Sequence, residues 1–68
     1  MQKFDAGLLR IARRTAGLKI KDVADSLHLS PSTIAAKENG SVRVGADELP
    51  VFAHLYNVSL NSFFIELP

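Results

Sequence analysis

The stretch from Ser30 to Gly40 constrains this chain more than any other, because both ends of one short helix are written into it. Ser30 brings a side-chain oxygen able to accept from the orphan amides of a first helical turn. Pro31 follows, and proline suits the first helical position because its missing N–H had no intrahelical partner. Asn39-Gly40 then supplies a stop, since glycine readily takes the left-handed conformation that ends a helix. The sequence predicts a helix from Pro31 to about Glu38.

Everything else must be arranged around that helix within 68 residues. A chain of this length forms a single domain, 1–68, with a small core. At 47% hydrophobic with modest charge it is expected to fold. Cysteine is absent, so neither a disulfide framework nor a cysteine-based metal site supplements packing, capping and dimerisation. The longest apolar runs fall far short of a bilayer span, and Met1-Gln2-Lys3 leads into helical pattern with no signal-peptide core. The expectation is a cytoplasmic protein with no membrane contact.

The remaining punctuation predicts four more helices. The first runs from about Asp5 to Ala16, with Leu8, Leu9, Ile11 and Ala12 as its apolar stripe and Gly17 as its stop. Leu18 dips inward before a second helix, about Ile20 to Leu27, whose Val23, Ala24 and Leu27 share a face. Ser41 to Gly45 reads as an extended loop with no partner strand nearby. Pro50 is tolerated only in a first turn, which makes Asp47 the expected cap of a fourth helix ending near Tyr56, closed by a left-handed Asn57. Ser59 is expected to cap a fifth, Leu60 to about Glu66.

Helices two and three, joined by His28-Leu29-Ser30, have the length and spacing of a helix-turn-helix. Ala24 is the small residue such a joint needs, and Val23, Leu27, Leu29 and Ile34 are the apolar residues expected to bury it. The outer face of the third helix would then be free to enter a major groove. Charge is distributed unevenly: all eight bases lie in residues 1–43 (Lys3, Arg10, Arg13, Arg14, Lys19, Lys21, Lys37, Arg43), whereas residues 44–68 hold only the acids Asp47, Glu48 and Glu66. That asymmetry would suit a polyanion, although the net charge is only +1.

Several stretches together resemble the Cro/repressor (XRE-like) helix-turn-helix family over nearly the whole chain. They are Leu9-Arg10 with Arg13 and Gly17-Leu18, and Asp22-Val23-Ala24 with Leu27. Next come Leu29-Ser30-Pro31-Ser32-Thr33-Ile34 and Glu38-Asn39-Gly40. The last are Leu49-Pro50 with Phe52-Ala53, and Val58-Ser59-Leu60 with Phe63-Phe64. The resemblance implies an all-α, compact five-helix bundle of the lambda-repressor-like DNA-binding type. It implies a sequence-specific transcriptional regulator, most simply a repressor, with double-stranded DNA as partner and no cofactor. By position it places a structural ion pair at Arg13 and Glu38. Base contacts fall to Pro31, Ser32, Thr33, Ala35 and Ala36. Phosphate contacts fall to the amino termini of helices two and four and to Arg10, Lys19, Ile20, Lys21, Lys37, Asn39 and Arg43. Because repressors of this type often dimerise through their last helix, the apolar tail Phe63, Phe64, Ile65 and Leu67 is the expected homodimer interface.

Two positions and the outer face of the third helix depart from the family, and Lys37 stands where the family usually has an apolar or aromatic residue, from which it would reach a phosphate. Ile20 stands where a phosphate-clamping glutamine is common, and His28 stands at the turn position usually held by glycine. The third helix offers Pro31, Ser32, Ala35 and Ala36 where bidentate base reading uses Arg, Lys, Asn or Gln. Such a face touches thymine methyl groups or relies on DNA shape. The alternative is a helix-turn-helix scaffold that binds another protein. No enzyme is expected: His28 and His54 lack companions at ligand spacing, and the serines lack a base. Asp22 and Asp25 read as a solvated face, and Tyr56, Phe52, Phe63 and Phe64 as packing residues.

Overall fold

The computed structural model describes residues 1–68 in the order β1 (Gln2–Phe4), α1 (Gly7–Thr15), α2 (Ile20–Leu27), α3 (Pro31–Glu38), α4 (Leu49–Tyr56), a 3-10 turn (Leu60–Phe63) and β2 (Phe64–Glu66). The fold is mainly helical, with four α-helices and a two-stranded antiparallel ribbon in place of five helices.

Each α-helix ends the same way. A residue with positive φ (Gly17 76°, His28 58°, Gly40 83°, Asn57 57°) turns the chain back. The next amide then bonds a carbonyl five residues upstream: Leu18 to Arg13, Leu29 to Ala24, Ser41 to Ala36 and Val58 to Ala53, all at 2.9–3.1 Å. These closures satisfy carbonyls that a helix end otherwise leaves bare, which is how so small a domain stops four helices cleanly.

The core is a single cluster: Leu9 and Ala12 from α1, Val23 and Ala24 from α2, Ile34 from α3, Leu49, Phe52, Ala53 and Tyr56 from α4, and Phe63. Fully burying side chains such as Phe52, Phe63 and Leu9 contributes roughly 1.5–3 kcal/mol each. Tyr56 lies between two rings, 5.9 Å from Phe52 and edge-on to Phe63 at 6.5 Å.

The tail corrects the expected fifth helix. After one 3-10 turn, Phe64–Glu66 extends and pairs with the other end of the chain, Phe4 opposite Phe64, Lys3 opposite Ile65 and Gln2 opposite Glu66. Phe63 goes into the core while Phe64 meets Phe4 edge-on at 6.0 Å, an alternation suited to a strand and not to a helix. The same pairing turns Gln2–Phe4 from a helical lead-in into a strand. Helix α1 accordingly begins at Gly7, whose amide donates to Asp5 Oδ1 at 2.9 Å. Helix α4 begins after Glu48, not Asp47, and keeps Pro50 in its first turn. Leu29, expected in the joint, is exposed, because the left-handed His28 carries the chain outward before α3 starts.

Candidate nucleic-acid interface

Helix α3 has one inward face and one outward face. Ile34, Lys37 and Glu38 are buried, Pro31 and Ser32 are exposed, and Thr33, Ala35 and Ala36 are half-buried along the outer side. Ser30 caps the helix by accepting from the Thr33 amide at 3.2 Å. Its hydroxyl also lies 3.1 Å from Ser32 Oγ and 2.8 Å from Thr33 Oγ1, so the hydroxyls at the helix start are linked to one another. The outer face is therefore small, smooth and poor in long hydrogen-bonding groups.

The inward face is fastened by charge. Arg13 on α1 donates from Nε to Glu38 Oε2 at 2.7 Å and from Nη2 to Oε1 at 3.1 Å, a two-pronged pair with both side chains buried. Its remaining fork nitrogen donates to the Leu18 carbonyl at 3.0 Å, tying the start of the α1–α2 link into the same contact. Arg10 approaches Glu38 Oε1 at 3.6 Å from the solvent side. The hydrogen bond to Glu38 raises the Arg13 pKa above its already high ordinary value, so the guanidinium stays charged. Tyr56 lies close enough to feel both charges. Burial, then the field of Glu38, pushes its pKa up to about 12, and its hydroxyl has no hydrogen-bond partner.

A second fastening lies one residue earlier. Lys37 Nζ reaches Glu48 Oε1 at 2.8 Å and donates to the Arg43 carbonyl at 3.3 Å, while Glu48 Oε2 accepts from the Gly45 amide at 2.7 Å. The Lys37 hydrogen bond, then that of Gly45, holds the Glu48 carboxyl below the usual carboxylate range. A Cβ at Gly45 would stand 2.8 Å from Asp47 Oδ1 and 3.1 Å from Glu48 Oε2, so a side chain there would press on the two carboxylates.

These contacts revise the phosphate set. Lys37 is buried and its charge is already met, so it does not reach out to a phosphate. The start of α4 is fronted by Asp47 and Glu48, which repel an anion from that helix terminus. Arg10 is shared with Glu38. Lys19, Lys21, Asn39 and Arg43 are exposed, and Ile20 is half-buried against the core. At the start of α2, the Lys19 amide donates to Asp22 Oδ2 at 2.8 Å, which sets one carboxylate in that first turn between the exposed Lys19 and Lys21.

Among the tail residues, Phe63 is fully buried within the single chain and so is removed from any interface between copies. Phe64 and Leu67 are half-buried and Ile65 is exposed. No group of three His, Cys, Asp or Glu side chains is placed to hold a metal, and no helix is long and apolar enough to cross a membrane. Sequence reasoning missed the roles of Glu48 and of the Tyr56 hydroxyl. A lysine at a position where the family carries an apolar residue was the available signal, because a buried lysine requires a partner.

Comparison with known proteins places residues 6–62, most of the chain, under a family model described as a helix-turn-helix domain. Neither the curated proteins nor the solved structures include a match.

Proposed function

This chain belongs to the helix-turn-helix domain family, a DNA-binding family, and from that premise we propose that it is a sequence-specific transcriptional regulator, most simply a repressor. Helix α3 enters the major groove of a two-fold operator, and two copies bind together, joined through the exposed Ile65 and its half-buried neighbours Phe64 and Leu67. The observation that carries this reading is the outward face of α3, from Pro31 to Ala36, with Lys19, Lys21 and Arg43 open to solvent. Pro31, Ser32, Thr33, Ala35 and Ala36 meet the bases. With no bidentate reader among them, they act through close contact, thymine methyl groups and groove shape. Lys19, Lys21, Arg43, Asn39 and the start of α2 meet phosphates, with Arg10 at the margin, and supply most of the affinity.

Selection of bound sequences from a random duplex pool tests this directly. The expected product is a symmetric pair of half-sites about one helical turn apart, with low information per half-site. Enrichment of no sequence, or of single unpaired sites, counts against it. A second reading, a scaffold that binds another protein, draws on one observation: Leu29 and Val51 are exposed beside Asp47 and Glu48, an apolar patch with an acidic rim. A protein of that kind shows no salt-sensitive affinity for duplex DNA.

A further inference from the structure

We propose that Lys37 is a positioning residue: through Glu48 it holds the Ser41–Gly45 loop against the end of α3 and so sets where Arg43 meets the DNA backbone. The inference rests on the preceding reading of Arg43 as a phosphate contact. The loop is tied down at two places. At its start, the Ser41 amide donates to Ala36 O at 3.0 Å and to Asn39 Oδ1 at 2.9 Å, and the Val42 amide donates to Ala36 O at 3.2 Å. These bonds continue the ending of α3 and need no other residue. Its far part is held by the Lys37–Glu48 pair, in which Lys37 donates to the Arg43 carbonyl while Glu48, on Lys37, accepts the Gly45 amide, with the Glu48 amide donating to Gly45 O at 3.0 Å and Val44 packed against the core beyond it.

Arg43 thus lies between the two ties, its side chain in solvent and its carbonyl on a buried ammonium. Without Lys37, the Arg43 carbonyl loses its donor and the Glu48 carboxylate loses the charge that fixes it beside Gly45, so the backbone around Arg43 is held less firmly. A mobile cation gains less from a fixed phosphate than a positioned one, because its side chain and backbone must be ordered on binding. Lys37 does this while itself buried, with only 7% of its surface exposed, so it contributes without touching DNA.

The test is a cycle of four proteins (wild type, Lys37→Met, Arg43→Ala and both together) titrated with a random-sequence duplex over a range of salt. Methionine keeps the stem that packs against the core and removes the charge. Arg43→Ala is expected to make the salt slope shallower by about one, the value of one phosphate contact. Lys37→Met is expected to do the same with Arg43 intact, and the double variant to lose no more than either single one. Lys21→Ala, a contact outside the loop, is expected to take off a further unit or so in either background, which shows that Lys37→Met retains the rest of the interface. Without DNA, amide exchange at Gly45 is expected to quicken in Lys37→Met and in Glu48→Gln, the second variant if the first folds poorly.

Equal losses from Arg43→Ala with and without Lys37 overturn the proposal and leave the DNA-binding reading standing. Unchanged exchange at Gly45 does likewise. Wild-type protein without salt-sensitive binding overturns both.

Discussion

Glu38 holds two guanidinium groups, Arg13 at 2.7 Å and Arg10 at 3.6 Å, with only 2% of its side chain exposed. A buried pair of this kind is costly to break from one side, because the partner is left charged and unmatched in a poor solvent. Glu38→Ala is expected to lower stability by about 3–5 kcal/mol in urea unfolding, and a loss below about 1 kcal/mol would mean that the pair is effectively solvated. Tyr56, the only tyrosine, gives the opposite case: its hydroxyl is buried and bonds to nothing. Tyr56→Phe is expected to be neutral or stabilising by up to about 1 kcal/mol. Because the folded Tyr56 holds its proton to a pKa of about 12, above the ordinary value near 10, its burial favours folding fully below the ordinary value. That contribution is lost as pH climbs from there toward 12. Ultraviolet titration of tyrosinate is expected to show ionisation displaced upward and accompanied by unfolding, and a reversible titration near 10 with the fold intact would contradict the burial.

At the scale of elements, the turn between α2 and α3 carries the strain. His28 sits at φ 58°, ψ 40°, a conformation that costs an L-residue about 1 kcal/mol and glycine almost nothing. His28→Gly is expected to raise stability by roughly 0.5–1 kcal/mol by thermal unfolding, and a loss would mean that the imidazole makes a stabilising contact. The elements next to this turn were the legible ones. The limits of α2 and α3 followed from Ser30, Pro31 and Gly40 because caps and stops act over three or four residues of chain. The same local logic failed for Leu60–Glu66. Phe63-Phe64-Ile65 fits a helix face or a strand equally well, and the choice is made by Phe4, some sixty residues away. Lys37 and Arg13 show the same divide at the site. Arg13 and Glu38 are placed by family position, whereas Lys37 departs from that pattern and its partner Glu48 lies in another element, so the sequence alone reads it as a cation facing phosphate.

Over the whole molecule, the uneven charge of the sequence survives folding in thinner form. Of the eight bases, Arg13 and Lys37 are spent inside and Arg10 is shared, leaving Lys3, Arg14, Lys19, Lys21 and Arg43 to the solvent. On the proposed function, a weakly reading α3 makes a second copy valuable, since two linked half-sites combine their binding free energies. Ile65 is exposed and stands opposite Lys3, so Ile65→Glu, which sets an opposite charge across from that lysine, is expected to leave the monomer folded. Sedimentation equilibrium is then expected to show a dimer for the wild type and a monomer for the variant, and an equal mass for the two would contradict an interface at Ile65. The proposed contact with duplex DNA runs through the exposed cations of this helix-turn-helix. Its most direct test is the slope of log affinity against log salt for a random-sequence duplex. With Lys19, Lys21, Arg43 and a marginal Arg10 engaged, the slope is expected near −3 to −4 per copy. An affinity that is absent, or flat across salt, contradicts the account.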